Sequence, residues 1–385
     1  MTIALPPEAQ AIADNVRRFV DREVMPLANE LEHADAFPQA LLDQMNAMGL
    51  LGCTIAERFG GSGLSYVAYA AIVEELSRGW MSLGGMINTH IIDAYLLEQF
   101  GTPEQQERYL PRMARGEIRG AFTITEPNAG SDVQAIQASA KREGDFYVLN
   151  GTKQFVTNGR RAGIFAVICK TDPQASPAYA GISILLVEPT TPGFTIVRDV
   201  EKLGYKGVDT VILRFDDARV PATQLLGARE GQGFRQALSA LEVGRINVAA
   251  RAVGLSQAAF EDAIRYAQQR QTFGVPIAEH QAIQFKLAEM ATKIEAARLL
   301  TYKAAETKDR GERTDLEAGM AKLFATETAL EVTMEAMRIF GGVGYTKDLR
   351  IERLYRDAPF MAIGEGTNEI QHIAIARALL RKYAI

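Results

Sequence analysis

Ile363-Gly364-Glu365-Gly366-Thr367-Asn368-Glu369-Ile370 sets one carboxylate between two glycines, and an apolar helical pattern follows through Ile370, Ile373, Ile375, Ala378 and Leu379. The glycines remove bulk on either side of Glu365 and let the backbone approach a ligand. Thr367 or Asn368 can cap the helix that follows, whose first amides favour an anion or a polarised carbonyl. The stretch therefore presents a carboxylate in a narrow slot beside a helix N-terminus.

Working back from it, the helical period holds from about residue 228 to the C-terminus. Its longest stripe is Ile283, Leu287, Met290, Ile294, Ala297, Thr301 and Ala304, which suits packing in a helix bundle. Before it, from Gly116, the pattern changes to short β-rich runs: 164–170, 182–188, 195–200 and 210–215. Phe146, Val148 and Phe155 flank Asn150-Gly151, which reads as a hairpin turn. Runs of this kind suggest a small barrel or sandwich. The first part is helical again, with Ile12, Val16 and Phe19 followed by Val20, Val24, Leu27 and Leu31, then helices near 39–48, 65–77, 83–100 and 103–115. Phe59-Gly60-Gly61-Ser62-Gly63 lacks the spacing of a dinucleotide fingerprint and reads as a loop. The expected architecture is α+β and multidomain. An all-α domain spans 1–116, a β-barrel or sandwich 117–228, and a four-helix-bundle-type domain 229–385.

A chain of 385 residues suits two or three domains. Its 47% hydrophobic and 23% charged residues are a globular balance. A net charge of −5 with a pI near 5.6 argues against a nucleic-acid partner held by a basic field. Two cysteines without metal-like spacing imply no disulfide framework. No secretion signal and no apolar run long enough for a membrane span is read, so the expected location is cytoplasmic.

Several chemistries drop out. His33, His90, His280 and His372 have no zinc-site spacing, and neither a nucleophile-elbow serine nor a phosphate loop ending in Gly-Lys-Ser/Thr is present. What remains is Phe122-Thr123-Ile124-Thr125-Glu126-Pro127-Asn128-Ala129-Gly130-Ser131-Asp132, a loop rich in hydroxyls and amides after an apolar strand. In Lys153-Gln154-Phe155-Val156-Thr157-Asn158-Gly159, an aromatic and a hydroxyl two residues apart share a strand face and can hold a flat ring. Arg270-Gln271-Thr272-Phe273-Gly274 and Phe340-Gly341-Gly342-Val343-Gly344 can neutralise and cradle phosphates.

Together and in this order, these segments, with Glu279-His280-Gln281 and Gly364-Glu365-Gly366-Thr367, resemble the acyl-CoA dehydrogenase family over essentially the whole chain. The resemblance implies a flavoprotein with non-covalent FAD, assembled as a homotetramer, a dimer of dimers. It implies contacts to the flavin ring from Phe122, Ile124, Thr125, Gly130, Ser131, Phe155 and Thr157. The ADP half would meet Arg270, Thr272, Phe273, His280, Gln281, Arg338, Gly341 and Gly342, partly across a subunit interface. Thr367 and Glu369 would also lie against the cofactor, while Ser131, Glu242, Arg245 and Gly366 would contact the acyl-CoA. Glu365 matches the base. It would take the α-proton of the thioester while hydride passes from the β-carbon to flavin N5, giving the trans-2-enoyl-CoA. Electrons would then pass to electron-transferring flavoprotein. An acyl-CoA oxidase or another flavoenzyme on the same scaffold, or a non-catalytic acyl-CoA-binding subunit, are the alternatives.

Some family members carry the base at the position of Gly244, so here Glu365 has no rival. Gly364 stands where a tyrosine is often found, and Gly84-Gly85 lies where the floor of the acyl pocket is expected. The missing side chains suggest a wider pocket unless a neighbour fills it.

Overall fold

The computed structural model describes residues 5–384. Its first helices, α1 (Pro7–Phe19) and α2 (Met25–His33), are joined by a π-helical turn over Val20–Val24. Val16, Val20, Val24 and Ala28 are all fully buried. Repeated four-residue steps would drift around an ordinary α-helix, and the wider turn keeps them in line. Next come α3 (Gln39–Ala47), α4 (Tyr66–Gly79), α5 (Met81–Phe100) and α6 (Pro103–Ala114). Ser65 caps α4 by accepting from the Ala68 amide, and Thr102 with Gln105 forms a reciprocal capping box on α6.

The strands are β1 (Gly120–Thr123), β2 (Ser139–Glu143), β3 (Phe146–Thr157), β4 (Ile164–Lys170), β5 (Ile182–Val187), β6 (Phe194–Asp199) and β7 (Thr210–Pro221). They form one curled seven-stranded sheet in the order β1-β4-β2-β3-β7-β6, with β5 also on β4. Strand β4 is apolar at both faces because both are covered. Ile164, Ala166 and Ile168 pack with α5 and α6 residues, while Phe165, Val167 and Cys169 join Tyr147, Leu149 and Phe215 inside the curl.

One expectation fails here. Asn150-Gly151 is not a turn, since β3 runs straight through it and shifts register against β7 between Leu149 and Gly151. The chain reverses at Gly144-Asp145, between β2 and β3. Glycine is needed at 151 for close approach, because a Cβ there would sit 2.6 Å from that of Ala138.

The C-terminal part consists of α7 (Gly233–Gln269), a two-residue ribbon of β8 (Gln271–Thr272) and β9 (Val275–Pro276), α8 (Gln281–Asp309), α9 (Asp315–Phe340), α10 (Ile351–Ile363) and α11 (Asn368–Lys382). Alanine and glycine line α7 and α9, so their backbones pack closely at the centre of the bundle, and α4 and α5 lie against α7. On α8 the predicted stripe is buried from Met290 to Ala304. Among the described residues no helix is long and apolar enough to cross a membrane.

A buried ion pair fastens the loop after β1. The Lys153 side chain is fully enclosed; its Nζ lies 2.7 Å from Glu126 Oε1 and also donates to the Ile124 carbonyl. Glu126 accepts from the Gln137 and Ala138 amides as well. Removing one partner strands the other's charge out of water. Lys153→Met should therefore destabilise the protein by about 3–5 kcal/mol, seen as an earlier denaturant midpoint. A midpoint equal to wild type would show that this pair does not hold the loop.

Candidate active site

Glu365 sits in the left-handed region at φ +57°, between Gly364 and Gly366, the latter at φ +85°. Such backbone costs on the order of 1–3 kcal/mol in a non-glycine residue and persists only when its surroundings enforce it. The enforcing group is Lys322 on α9. Its buried Nζ donates to the Ala362 carbonyl, the Gly366 carbonyl at 2.9 Å and Asn368 Oδ1 at 2.7 Å. Gln371 adds a bond to the Gly366 carbonyl at 3.0 Å, and Thr367 caps α11 by accepting from the Ile370 amide.

The carboxylate is half-buried. Asn88 on α5 donates to its Oε1 at 2.9 Å. Its Oε2 lies 2.7 Å from where a Cβ on Gly244 of α7 would stand. Glycine at 244 thus leaves the carboxylate its room, and a side chain there would push it aside. Burial raises the Glu365 carboxyl above its ordinary value, against the opposing pull of Arg251, the Asn88 hydrogen bond, Arg245 and Lys322. Burial also lowers the Lys322 ammonium to about 8, despite the nearby Glu365.

Thr157 lies against the same chamber. Tyr205, itself at φ +53°, reaches Thr157 and Arg251 with its hydroxyl and stacks on Phe360 at 4.3 Å between centroids. Asn158 donates to the Met86 carbonyl and to Thr89, tying the end of β3 to α5. Phe155 projects from a bulge at φ +57° and is 59% exposed. The Thr125 carbonyl accepts from the Gln154 amide, so the loop carrying Ile124, Thr125, Gly130 and Ser131 lies beside it, with Phe122 buried in β1. Glu369 is exposed in the first turn of α11. Glu242 is held by Lys308 at 3.0 Å, and Arg245 is buried with its Nε unpartnered.

The remaining predicted residues gather elsewhere. Arg270, Thr272, Phe273, His280 and Gln281 surround the β8–β9 ribbon, with Thr272 Oγ1 2.8 Å from His280 Nε2. The end of α9 joins them there, since Phe340 packs on Tyr266 near the end of α7 and Lys286 near the start of α8 pairs with Glu335. This set therefore includes Arg338, Gly341 and Gly342. Four to five turns of α9 separate Lys322 from Arg338, ~24 Å of rise. Within one chain the structure thus forms two clusters, one around Glu365 and one at the other end of the bundle.

The gaps at Gly84 and Gly85 are filled. A Cβ on Gly85 would meet the Tyr205 hydroxyl at 2.0 Å, and one on Gly84 would meet Ser77 Oγ at 2.7 Å and Arg251 Cγ at 3.1 Å. The expected wider pocket is closed by Tyr205 and Arg251. Asn88, Tyr205, Arg251 and Lys322 were not foreseen. The signal available for Lys322 was a lone charge in the small-residue run Ala318, Gly319, Ala321 and Ala325.

Lys322→Met would remove three charge-assisted bonds from the 362–368 turn, and even part of their worth, ~2 kcal/mol, corresponds to roughly thirtyfold in local opening. Amide hydrogen exchange at Glu365–Asn368 should rise by that order, while exchange in the β-sheet stays at the wild-type rate. Unchanged exchange in the turn would show that other contacts suffice.

Family models match in sequence: acyl-CoA dehydrogenase N-terminal domain at residues 6–117, middle domain at 121–218 and C-terminal domain at 231–380. An acyl-CoA dehydrogenase of Bacillus subtilis is 44% identical over 366 residues, covering 95% of this chain and 96% of that one. The human mitochondrial short-chain specific acyl-CoA dehydrogenase is 41% identical over 384 residues, covering 99% and 92%. The solved butyryl-CoA dehydrogenase of Megasphaera elsdenii superposes with a TM-score of 0.95 at 39% identity, covering 99% of this chain and all of the other. Agreement of this extent, over all three regions, makes the chain a member of the acyl-CoA dehydrogenase family and an oxidoreductase of that class.

Proposed function

We propose that this protein dehydrogenates a short acyl-CoA thioester to its trans-2-enoyl-CoA, with Glu365 taking the α-proton. The observation that carries the reading is Glu365 itself, a strained and half-buried carboxylate whose pKa is raised and which lies in the room left by Gly244. A base with a raised pKa suits a weakly acidic carbon acid. The Glu365 amide and the start of α11 provide N–H dipoles for the thioester carbonyl, which gains negative charge as the proton leaves. Closure of the floor by Tyr205 and Arg251 favours a short acyl group, in keeping with the short-chain and butyryl-CoA relatives.

FAD is the cofactor of this family, and the residues present fit it. Phe155 offers an exposed ring edge beside Thr157. Open backbone at Gly130, Gly341 and Gly342, where a Cβ would meet nothing within 4 Å, can approach a ligand closely. Bound there, FAD supplies the two-electron acceptor for the hydrogen leaving the β-carbon. Phe122, Ile124, Thr125, Gly130, Ser131, Phe155, Thr157, Thr367 and Glu369 would hold its flavin half. Arg270, Thr272, Phe273, His280, Gln281, Arg338, Gly341 and Gly342 would hold an ADP half. Their separation from Glu365 supports our reading that a partner subunit completes each site, in a homotetramer. Ser131, Glu242, Arg245 and Gly366 would meet the CoA portion, and electron-transferring flavoprotein is the acceptor we propose.

Purified holoprotein should lose its visible flavin band on titration with butanoyl-CoA. Glu365→Gln should retain FAD and bind the thioester but bleach ~10²–10⁴-fold more slowly, because an amide cannot accept the proton. Bleaching at the wild-type rate would remove Glu365 from the mechanism.

The pH dependence follows from the same carboxylate. The active form is ionised, so the rate rises with pH through a value above that of an ordinary glutamate. Asn88 donates to the ionised form and so favours it. Asn88→Ala therefore moves the acid limb of the kcat/KM profile to higher pH. A limb that stays in place, or moves to lower pH, would contradict the contact.

A further inference from the structure

Arg251 is a fully buried charge that the mechanism above does not use. It stands two turns beyond Gly244 on α7, and helical side chains lean toward the N-terminus, here toward Gly244 and Glu365. Its Cγ and Cδ fill the space left by Gly84, at 3.1 and 3.3 Å from the Cβ position there. Its guanidinium carbon lies 5.6 Å from the centroid of Tyr205 and 5.5 Å from that of Phe360. Yet Nε and Nη1 have no hydrogen-bond partner, and among the described residues no carboxylate forms an ion pair with it. Other buried polar atoms around it are also unpartnered: Ser77 Oγ, Asn88 Oδ1 and Asn247 Oδ1.

Several other enclosed arginines differ. Arg78 is paired with Glu75, Asp21 and Glu261, Arg298 with Glu74 and Glu295, and Arg356 with Glu32 and Glu352. Arg353 also has free Nε and Nη1, but its Nη2 donates to the Gly79 carbonyl and Asp357 lies beside it. Arg245 is likewise buried beside Glu365 with its Nε unpartnered, but it is already assigned to the CoA portion; Arg251 is the one of the two whose side chain fills the floor at Gly84. Glu365 does not serve as its partner, since Oε1 takes the Asn88 bond and neither free nitrogen of Arg251 is bonded to it. A buried charge left unpaired is costly. A guanidinium beside the stacked Tyr205 and Phe360 rings, with N–H donors left over, suits a carboxylate as its ligand group.

We propose that Arg251 is a specificity-determining residue that receives the distal carboxylate of a short dicarboxylic acyl group, so that the substrate is a CoA monothioester of the succinyl or glutaryl type. The inference rests on the reading of Glu365 as the base. The reaction is the dehydrogenation already described, and only the acyl group is specified. A neutral chain of equal length would leave the guanidinium uncompensated. A longer chain would meet the side chains of Tyr205 and Arg251 that replace the missing ones at Gly84 and Gly85.

The test compares succinyl-CoA with butanoyl-CoA and glutaryl-CoA with pentanoyl-CoA on the holoprotein, by flavin bleaching and by equilibrium titration of the spectrum. For wild type, kcat/KM should favour at least one dicarboxylic member over its neutral partner by about tenfold or more. In Arg251→Gln that ratio should fall by roughly thirtyfold or more, the usual effect of removing one side of an enclosed charge pair, with most of the loss in KM. Arg251→Lys, which keeps the charge but not the fork, should fall between the two. Wild-type preference for both neutral thioesters would overturn the proposal without recourse to any variant. So would an equal loss for all four thioesters in Arg251→Gln, which would make the arginine an electrostatic support for Glu365. If wild type bleaches with none of the four, the dehydrogenase reading of Glu365 fails and this inference falls with it. Bleaching by the neutral pair alone rejects the carboxylate but leaves that reading standing.

Discussion

The ammonium of Lys322 holds three oxygens of the turn between α10 and α11, and the arrangement around Glu365 depends on it. A glutamate in left-handed backbone would relax if the carbonyls on either side were free. Instead the Ala362 and Gly366 carbonyls and the Asn368 side chain converge on one buried cation. Asn368 is fixed in turn by Thr326 and Glu327, also on α9. The carboxylate is thus held from α9 within the bundle. Rigid support from regular elements is what a reacting group needs to keep its geometry.

How much of this was legible in the sequence depended on the range of the interaction. Local signals performed well. Thr367, one of the two residues read as a cap, caps α11, and the stripe from Met290 to Ala304 is buried. The fold class followed from these periods and from the change to strands between them. Asn150-Gly151 misled because the steric freedom that suits a hairpin turn also suits a bulge, and only the approach of Ala138 distinguishes the two. At the site, Glu365 was visible because its flanking glycines are adjacent to it. Asn88, Arg251 and Lys322 were not, because their partners lie far along the chain, and only Lys322 carries a faint local sign, a lone charge among small residues. The volume of the acyl pocket was equally hidden. Gly84 and Gly85 read as vacancies, whereas Tyr205 enters from the β region and Arg251 from α7 to occupy them.

The two ends of the bundle have different characters. Around Glu365, polar atoms are enclosed and several lack partners, among them Asn88 Oδ1, Asn247 Oδ1 and the Arg245 and Arg251 nitrogens. At the far end, by contrast, Phe273 is 98% exposed and Gly341 and Gly342 face open space. Enclosed donors and acceptors without partners mark where a small polar ligand is gripped from all sides.

The 2.7 Å between Glu365 Oε2 and the place a Cβ on Gly244 would take also has an evolutionary meaning. The two positions compete for one volume, so a carboxylate can be supplied from the α7 side or from the turn before α11, but not comfortably from both. A lineage moving the base from one helix to the other cannot pass through a fully functional intermediate by single substitutions. Losing the first carboxylate leaves no proton acceptor. Adding the second crowds two like charges together, and their repulsion raises the pKa of one or both. The passage is a fitness valley one residue wide, which would keep the two arrangements apart as separate branches even where the rest of the scaffold is interchangeable.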